Sequence, residues 1–408
     1  MTGGRVEADP APLPLLTEPS GGVPPVIETQ DALDAAVRRL GEARGPIAVD
    51  AERASGYRYG NRAYLVQLRR GDLQPMLVDP VAGLDLAGLR RVLTGPEWVL
   101  HAASQDLPCL ADIGLRPATL FDTELGGRLA GLPRVGLAAI TEQLLGVRLA
   151  KEHSAADWST RPLPEPWLRY AALDVELLVD LRDALEGLLL SQGKLAWAVE
   201  EFAAAAAAPP AAPRAEPWRR LSGLHSLRDR RSLAAARSLW QARDAMARRR
   251  DLAPGRVLPD AAIVNAAARM PRTAAELSSL PVFSGPANRR LAATWLAAVD
   301  EARRLPEADL PAASVPPEGP PPPRSWPDRD PEAAGRLARV RPALADLAEH
   351  HGLPVENLLT PDVARRLAWR PPEPVTPGTV AGFLRGHGAR DWQVRVTAAP
   401  LAGALAGG

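Results

Sequence analysis

Asp50 and Glu52 stand two residues apart behind the apolar run Ile47-Ala48-Val49, and Tyr170 and Asp174 stand four apart later in the chain, with Asp106 between the pairs. A strand sends alternate side chains to opposite faces, so a D-x-E pair puts both carboxylates on one face. Two anions so placed repel unless a cation lies between them. On a helix, a spacing of four brings Tyr170 and Asp174 to one face, one turn apart. Divalent cations are held by converging hard oxygen ligands, which carboxylates supply best. The set therefore points to metal-assisted hydrolysis, with a cation rather than a base activating water. Tyr170, with an ordinary pKa near ~10, is a poor base and is suited to holding that water.

Each piece has a plainer reading when taken alone. Strand ends often carry solvated acids. Asp106 could be an ordinary first-turn acid favoured by the helix dipole, and Tyr170 could be half-buried at a helix–sheet contact. What raises the set above these readings is the elements that must carry it. Residues 31–42 have helical periodicity, and Ile47 to Val49 runs as a strand into Asp50. Residues 64–68 alternate like a second strand, 76–78 make a third and 98–101 a fourth, followed by a helix near 105–113. A helix with Pro166 in its first turn extends to about Leu190. Strands followed by βαβ-like alternation imply an α/β domain, a mixed sheet flanked by helices.

At 408 residues the chain is long enough for two or three domains. It carries one cysteine, Cys109, which excludes a disulfide framework and a thiolate metal cluster. Residues 1–25 hold six prolines and no apolar run, unlike a signal peptide. No apolar stretch approaches the ~20 residues of a membrane span. A cytoplasmic protein is expected.

The net charge of +1 is unevenly spread: 18 arginines face 8 acids between Arg214 and Arg304, a surplus of +10. A basic segment beside an acidic one suits a protein that gathers a polyanion with one part and cations with the other. Nearly all the basic residues are arginine, which with the abundant Ala, Pro and Gly has the look of GC-rich codon usage. Alanine- and proline-rich breaks divide the chain. The expected order is a disordered segment 1–24, an α/β domain 25–202, a linker 203–217, a helical domain 218–305, a proline-rich linker 306–331 and a helical domain 332–408. In the basic domain, helices are expected at 233–250, 259–268, 273–279 and 286–302, with Thr273 and Glu276 at capping-box spacing. In the last domain they are expected at about 332–350, 361–368 and 376–387.

Order and context together resemble the DEDD superfamily of 3′–5′ exonucleases, in the subclass where tyrosine precedes the last Asp. Val49-Asp50-Ala51-Glu52 is similar to the first exonuclease motif, His101 to Asp106 to the second, and Tyr170-Ala171-Ala172-Leu173-Asp174 to the third. The stretch from Asp157-Trp158 to Arg161-Pro162-Leu163 resembles the ribonuclease D family, and the basic bundle resembles the HRDC module. The last domain is only loosely similar to a second HRDC-like bundle. The resemblance implies a ribonuclease-H-like mixed five-stranded sheet followed by two small all-α bundles. It implies two Mg²⁺ or Mn²⁺ ions held by Asp50, Glu52, Asp106 and Asp174, about 4 Å apart, with Tyr170 as the fifth catalytic residue. It implies release of nucleoside 5′-monophosphates from RNA 3′ ends, tRNA precursors among them; separately, a monomer without membrane contact is expected.

Around the set, Trp158 and Arg161 are candidates for stacking on, or gripping, the terminal nucleotide, and equally for packing against the Tyr170 helix. Tyr57 and Tyr59 could touch substrate bases. Asp122 reads as a cap or a supporting acid, Cys109 as a small core residue, and His153 as outside the chemistry. Two other functions fit less of the chain: a 3′–5′ DNA exonuclease, and a non-catalytic RNA-binding adaptor that uses the arginine-rich bundle.

Overall fold

The computed structural model describes residues 13–150, 156–210, 212–314 and 318–407. His153 lies outside them. The chain divides into two compact units. The first takes in the described residues up to Glu52, Ala63–Pro209 and those from Glu318 onward; the second takes in Arg53–Arg62 and Pro210 onward to the start of the first unit's last segment.

The first unit is built on a mixed sheet. Its strands are β2 (Val26–Ile27), β3 (Ile47–Arg53), β4 (Ala63–Arg70), β5 (Met76–Val78), β6 (Glu97–Leu100) and β7 (Thr119–Asp122), in the spatial order β2-β5-β4-β3-β6-β7. β3 pairs parallel with β6 and β6 with β7, whereas β4 and β5 run antiparallel. The sheet thus has six strands instead of the expected five, because the two-residue β2 adds to its edge beside β5. The central strands are apolar on both faces because both faces are covered. Ile47 and Val49 pack with Leu33, Ala36 and Leu40 of helix α1 (Gln30–Glu42) and with Leu89 and Leu93 of α2 (Ala87–Leu93). Ala48 and Val99 pack instead with Val175 and Leu178.

After β6 come α3 (Leu107–Asp112), then α4 (Thr123–Leu129) and α5 (Leu137–Leu145). The long helix expected beyond Pro166 is two: α6 (Glu165–Glu176) and α7 (Leu178–Ser191), parted at Leu177, whose φ −110° and ψ 6° lie off the helical values. α8 (Leu195–Ala207) follows. The stretch expected to be disordered is ordered from Leu13. Leu15–Leu16 forms β1, paired parallel with β8 (Arg148–Leu149). Ser20 donates through its backbone N and its Oγ to Glu176 Oε1, at 3.1 and 2.7 Å.

The last helices are not tethered apart from the sheet domain. Val340, Leu344, Leu384, Trp392 and Leu401 share one core with Phe121, Leu129, Leu185 and Phe202. Trp392 stacks on Trp197 at 4.7 Å and donates through Nε1 to Glu201. Helices at Pro331–His351, Pro361–Trp369 and Pro377–Gly386 match expectation, but Asp391–Ala406 is a helix that the spacing does not predict. Its Pro400 and its run of small residues hide the periodicity, and only its burial against the other helices holds it. The proline-rich stretch is likewise better packed than expected at its end, since Trp326 is fully buried.

The second unit is a helical bundle around α9 (Arg230–Arg250), packed against Asp260–Arg269 and Ala292–Arg304. Its core includes Trp218, Leu239, Met246, Ile263, Phe283 and Trp295. Thr273 caps its helix by accepting from Glu276 N at 3.1 Å, as the capping-box spacing suggests. The helix expected over 286–302 breaks at Leu291. Several arginines are internal struts. Arg243 is buried and donates to Leu258 O and Asp260 Oδ1 at 3.0 and 2.6 Å, and Arg230 donates to the carbonyls of Leu310 and Pro311.

Gly131 marks the close approach of the last helices to the sheet domain. Its φ is +76°, and a Cβ there would fall 2.2 Å from the Gly352 carbonyl oxygen. Left-handed backbone costs an L-residue about 1–2 kcal/mol, and the clash adds to it. Gly131→Ala should therefore lower unfolding free energy by about 2 kcal/mol or more in chemical denaturation. A change near zero would mean that this junction is slack.

Candidate active site

Asp50 and Glu52 sit on β3, where the strand leaves the buried run Ile47–Val49. Asp174 comes from the last turn of α6. Asp50, Glu52 and Asp174 each bring a carboxylate oxygen to a cluster in which these atoms lie within 4.8 Å of one another. No ordinary packing force would gather three anions, so the donor set fits a divalent cation: hard oxygens, converging, and short of positive charge.

The electrostatics agree. Burial pushes the Asp174 carboxyl well above the usual carboxylate range, and the nearby Asp50 charge pushes it further, with Asp106 adding to this. A hydrogen bond from Tyr170 works the other way. The Tyr170 hydroxyl is raised above its usual value, first by burial and then by Asp174, Glu52 and Asp50. It stays protonated at any working pH and acts as donor to Asp174, leaving its oxygen free to accept.

Asp106 is buried and stands at the start of α3, apart from the three clustered carboxylates but near enough for its charge to be felt at Asp174. Its turn is held by Asp122. After β6 the chain takes a left-handed step at Ala102, φ 58°, into the 3₁₀ turn Ala103–Gln105. Asp122 at the end of β7 accepts from Ala102 N and Ala103 N at 3.1 and 2.9 Å, and from Glu124 N and Leu125 N at the start of α4. One carboxylate therefore stabilises a strained turn and caps a helix at once. The expectation of a cap or supporting acid describes it, although its hold on the Asp106 turn is invisible in sequence. Beside it, His101 is half-buried and desolvation pulls its imidazole down to about 4, so it is neutral; its Nδ1 lies 2.9 Å from Thr123 Oγ1.

The two residues expected at the terminal nucleotide are placed otherwise. Trp158 is fully buried, with ring centroids 5.5 Å from Trp167 and 6.4 Å from Tyr170, so its faces are taken by protein and not offered to a base. Arg161 donates through Nε to Asp79 Oδ2 at 2.7 Å, through Nη1 to the Trp158 and Thr160 carbonyls, and through Nη2 to Tyr64 O at 2.8 Å. Four of its five N–H groups go to the protein, because Asp79 and the β4 backbone lie within its reach. Trp158 braces α6, the packing alternative, and Arg161 ties the segment before that helix to Asp79 and β4. Asp79 escapes a reading of the sequence; its only signal there is its place directly after the apolar strand β5.

Tyr57 and Tyr59 belong to the loop that clusters with the second unit. The Tyr59 hydroxyl donates to Asp244 Oδ1 at 3.0 Å and accepts from Arg248 Nη2 at 3.1 Å, and Arg256 lies 4.2 Å over the Tyr57 ring. Base contacts by this loop would have to displace these partners. Cys109 is buried, a core residue as expected.

Residues 24–190 match a family model described as a 3′–5′ exonuclease, residues 232–299 an HRDC domain, and residues 319–405 a 3′ to 5′ exonuclease C-terminal domain. Over 358 residues the chain is 33% identical to the ribonuclease D of Acidiphilium cryptum (strain JF-5), covering 86% of this chain and 88% of that protein. The chain belongs to the ribonuclease D family. The fold agrees across its length. A crystal structure of a protein from Bifidobacterium adolescentis aligns with a TM-score of 0.90 at 40% identity, over 96% of this chain and 99% of that one. The Escherichia coli RNase D structure, described as that of an exoribonuclease involved in structured RNA processing, aligns with a TM-score of 0.69 at 28% identity, over 93% and 98%. The chain is a 3′–5′ exonuclease with an HRDC domain, as its motifs implied. Among the described residues no helix is long and apolar enough to cross a membrane.

The raised Asp174 pKa gives a signed prediction. A cation binds the ionised carboxyl, so binding pulls that pKa down and releases a proton wherever the metal-free group is still protonated. Metal affinity should rise with pH through the raised pKa and level off above it. Calorimetric Mg²⁺ titrations in buffers of different ionisation enthalpy should show proton release at low pH that fades as pH rises. Proton release that stays at zero across this range would mean that Asp174 is already ionised without metal.

Proposed function

We propose that the chain shortens RNA from its 3′ end one nucleotide at a time, releasing nucleoside 5′-monophosphates, with structured precursors such as those of tRNA as natural substrates and the cytoplasm as its place of work. The observation that carries this reading is the convergence of Asp50, Glu52 and Asp174 beside Tyr170 in a chain that aligns along most of its length with ribonucleases D. Two divalent cations, Mg²⁺ or Mn²⁺, fit the site, with Asp50, Glu52, Asp106 and Asp174 to hold them. When bound, such ions supply water activation and stabilise the leaving 3′ oxygen. The protein's part is positioning. Asp50 and Glu52 are fixed by a buried strand, Asp106 by the Asp122 clamp, and Asp174 by the braced helix α6. Tyr170, protonated and tied to Asp174, can accept a hydrogen bond from the attacking water and aim its lone pair at phosphorus. We propose that the enzyme works as a monomer.

End-labelled RNA and DNA with Mg²⁺ or Mn²⁺ test the activity and its preference for RNA; preference for DNA would favour the rival exonuclease reading. Asp50→Asn and Asp174→Asn should each cut hydrolysis by about 10³-fold or more while the protein stays folded, since each removes a charge the transition state depends on. Near-normal hydrolysis by either folded variant would overturn the assignment of the metal ligands. Tyr170→Phe should lose about ten-fold or more in kcat yet keep its metal affinity, because it removes only the water's partner.

The HRDC domain is proposed to gather RNA through phosphates. Truncation is a poor test, because the last helices complete the exonuclease core. Exposed arginines are a better one. Changing Arg249, Arg250, Arg269 and Arg290 to Gln should weaken RNA binding at low salt and flatten its salt dependence, by about 0.7 in log–log slope for each phosphate that is no longer neutralised. An unchanged slope would make this face a solvated surface and nothing more.

A further inference from the structure

A cavity of about 280 Å³ lies among the last helices and shares no lining residue with the carboxylate cluster. Three pairs of residues, each four apart, build most of its wall: Leu337 and Arg341 on helix Pro331–His351, Val355 and Leu359 on and just after Val355–Leu358, and Pro361 and Arg365 on Pro361–Trp369. A spacing of four keeps both members of a pair on one helical face. Leu337 and Leu359 are buried, whereas Val355 stands 38% exposed, one of the few large apolar side chains that do so.

The only polar side chains in the lining are the two arginines. Arg341 is exposed and has no hydrogen-bond or ion-pair partner among the described residues. Arg365 gives one Nη2 hydrogen to Asp362 Oδ1 at 3.2 Å, and Asp362 is held on its other side by Arg366 Nε at 2.5 Å. The lining therefore carries two positive charges and no negative one.

This combination selects among ligands. Single-stranded nucleic acid is gripped by stacking its bases on aromatic rings, and none lines this cavity. Its volume is just below the range of pockets for drug-sized ligands, which leaves room for one or two side chains. Guanidinium groups match carboxylates in geometry as well as charge. An aliphatic hollow rimmed by two guanidiniums is thus complementary to an apolar side chain with carboxylates beside it, which is what an acidic peptide presents.

We propose that this cavity is a docking site for a partner protein, which inserts an apolar side chain from an acidic segment and pairs the flanking carboxylates with Arg341 and Arg365. None of these residues belongs to the hydrolytic centre, so docking here and catalysis are separable.

A displayed library of random peptides, depleted on the Val355→Asp protein and then selected on the full wild-type chain, tests this. Val355→Asp removes an exposed apolar wall and sets a like charge against an acidic ligand. The selected sequences should share a large apolar residue next to Asp or Glu. A synthetic peptide of that sequence should bind in fluorescence anisotropy, more weakly as salt rises, because its ion pairs lie at an exposed rim. Arg341→Glu and Arg365→Gln should each weaken it about ten-fold or more. Arg370→Glu, an exposed arginine outside the lining, should leave its affinity unchanged. Exonuclease rate on a short RNA should stay at the wild-type value in all four variants, which shows that they are folded. Failure to select any apolar–acidic sequence would overturn the proposal, as would a selected peptide that binds Arg341→Glu and Arg365→Gln as tightly as wild type. If those two variants instead weaken a single-stranded RNA oligonucleotide and no peptide is selected, the cavity belongs to RNA and the docking proposal fails.

Discussion

Like-charge repulsion is the constraint on which the rest of this structure depends. Three carboxylate oxygens, from Asp50, Glu52 and Asp174, are held within 4.8 Å of one another, and every neighbouring element resists their separation. β3 cannot retreat because Ile47, Ala48 and Val49 are packed on both faces of the sheet. α6 is held by the Trp158 ring against its Trp167 and Tyr170 and by the Ser20–Glu176 link. Burial first, and the Asp50 charge after it, raise the Asp174 carboxyl above the usual carboxylate range. A divalent cation bound among the three carboxylates would offset their repulsion.

The same logic accounts for the residues that brace the site. Asp122 and Arg161 are acidic and basic side chains whose hydrogen bonds go mostly to the protein backbone. Charged groups used this way make strong, directional contacts, each firmer than a neutral pair. Asp122 turns that strength on a left-handed step at Ala102 that an alanine would not adopt unaided. Removing such a carboxylate frees four backbone donors at once, Ala102, Ala103, Glu124 and Leu125. It belongs to the site for that reason, although it faces no substrate.

Arginine serves two ends in this chain. In the helical unit, Arg230 and Arg243 are committed to carbonyls and acids of their own bundle. The surplus of positive charge counted in the sequence therefore overstates the number available to a polyanion. What remains on the surface, including Arg249, Arg250, Arg269 and Arg290, is still enough for several phosphates.

The sequence by itself determined the candidate carboxylates and the order of the matched domains. D-x-E on a strand and Y-x-x-x-D on a helix follow from periods of two and 3.6 residues, which are local properties of the backbone. It also determined most helices, because amphipathic spacing and caps such as Thr273 are local too. Tertiary structure alone decided where Trp158 and Arg161 point. Both residue types suit nucleotide contact and internal bracing equally, and the choice was made by Asp79 and Tyr64, about eighty to a hundred positions away in sequence. It decided as well that the last helices complete the exonuclease core and that Asp391–Ala406 is helical at all. It also ordered the N-terminal strap, whose two-residue strand has no periodicity to read. Those outcomes rest on contacts between segments far apart in the chain, and no local pattern encodes a partner that only folding brings near.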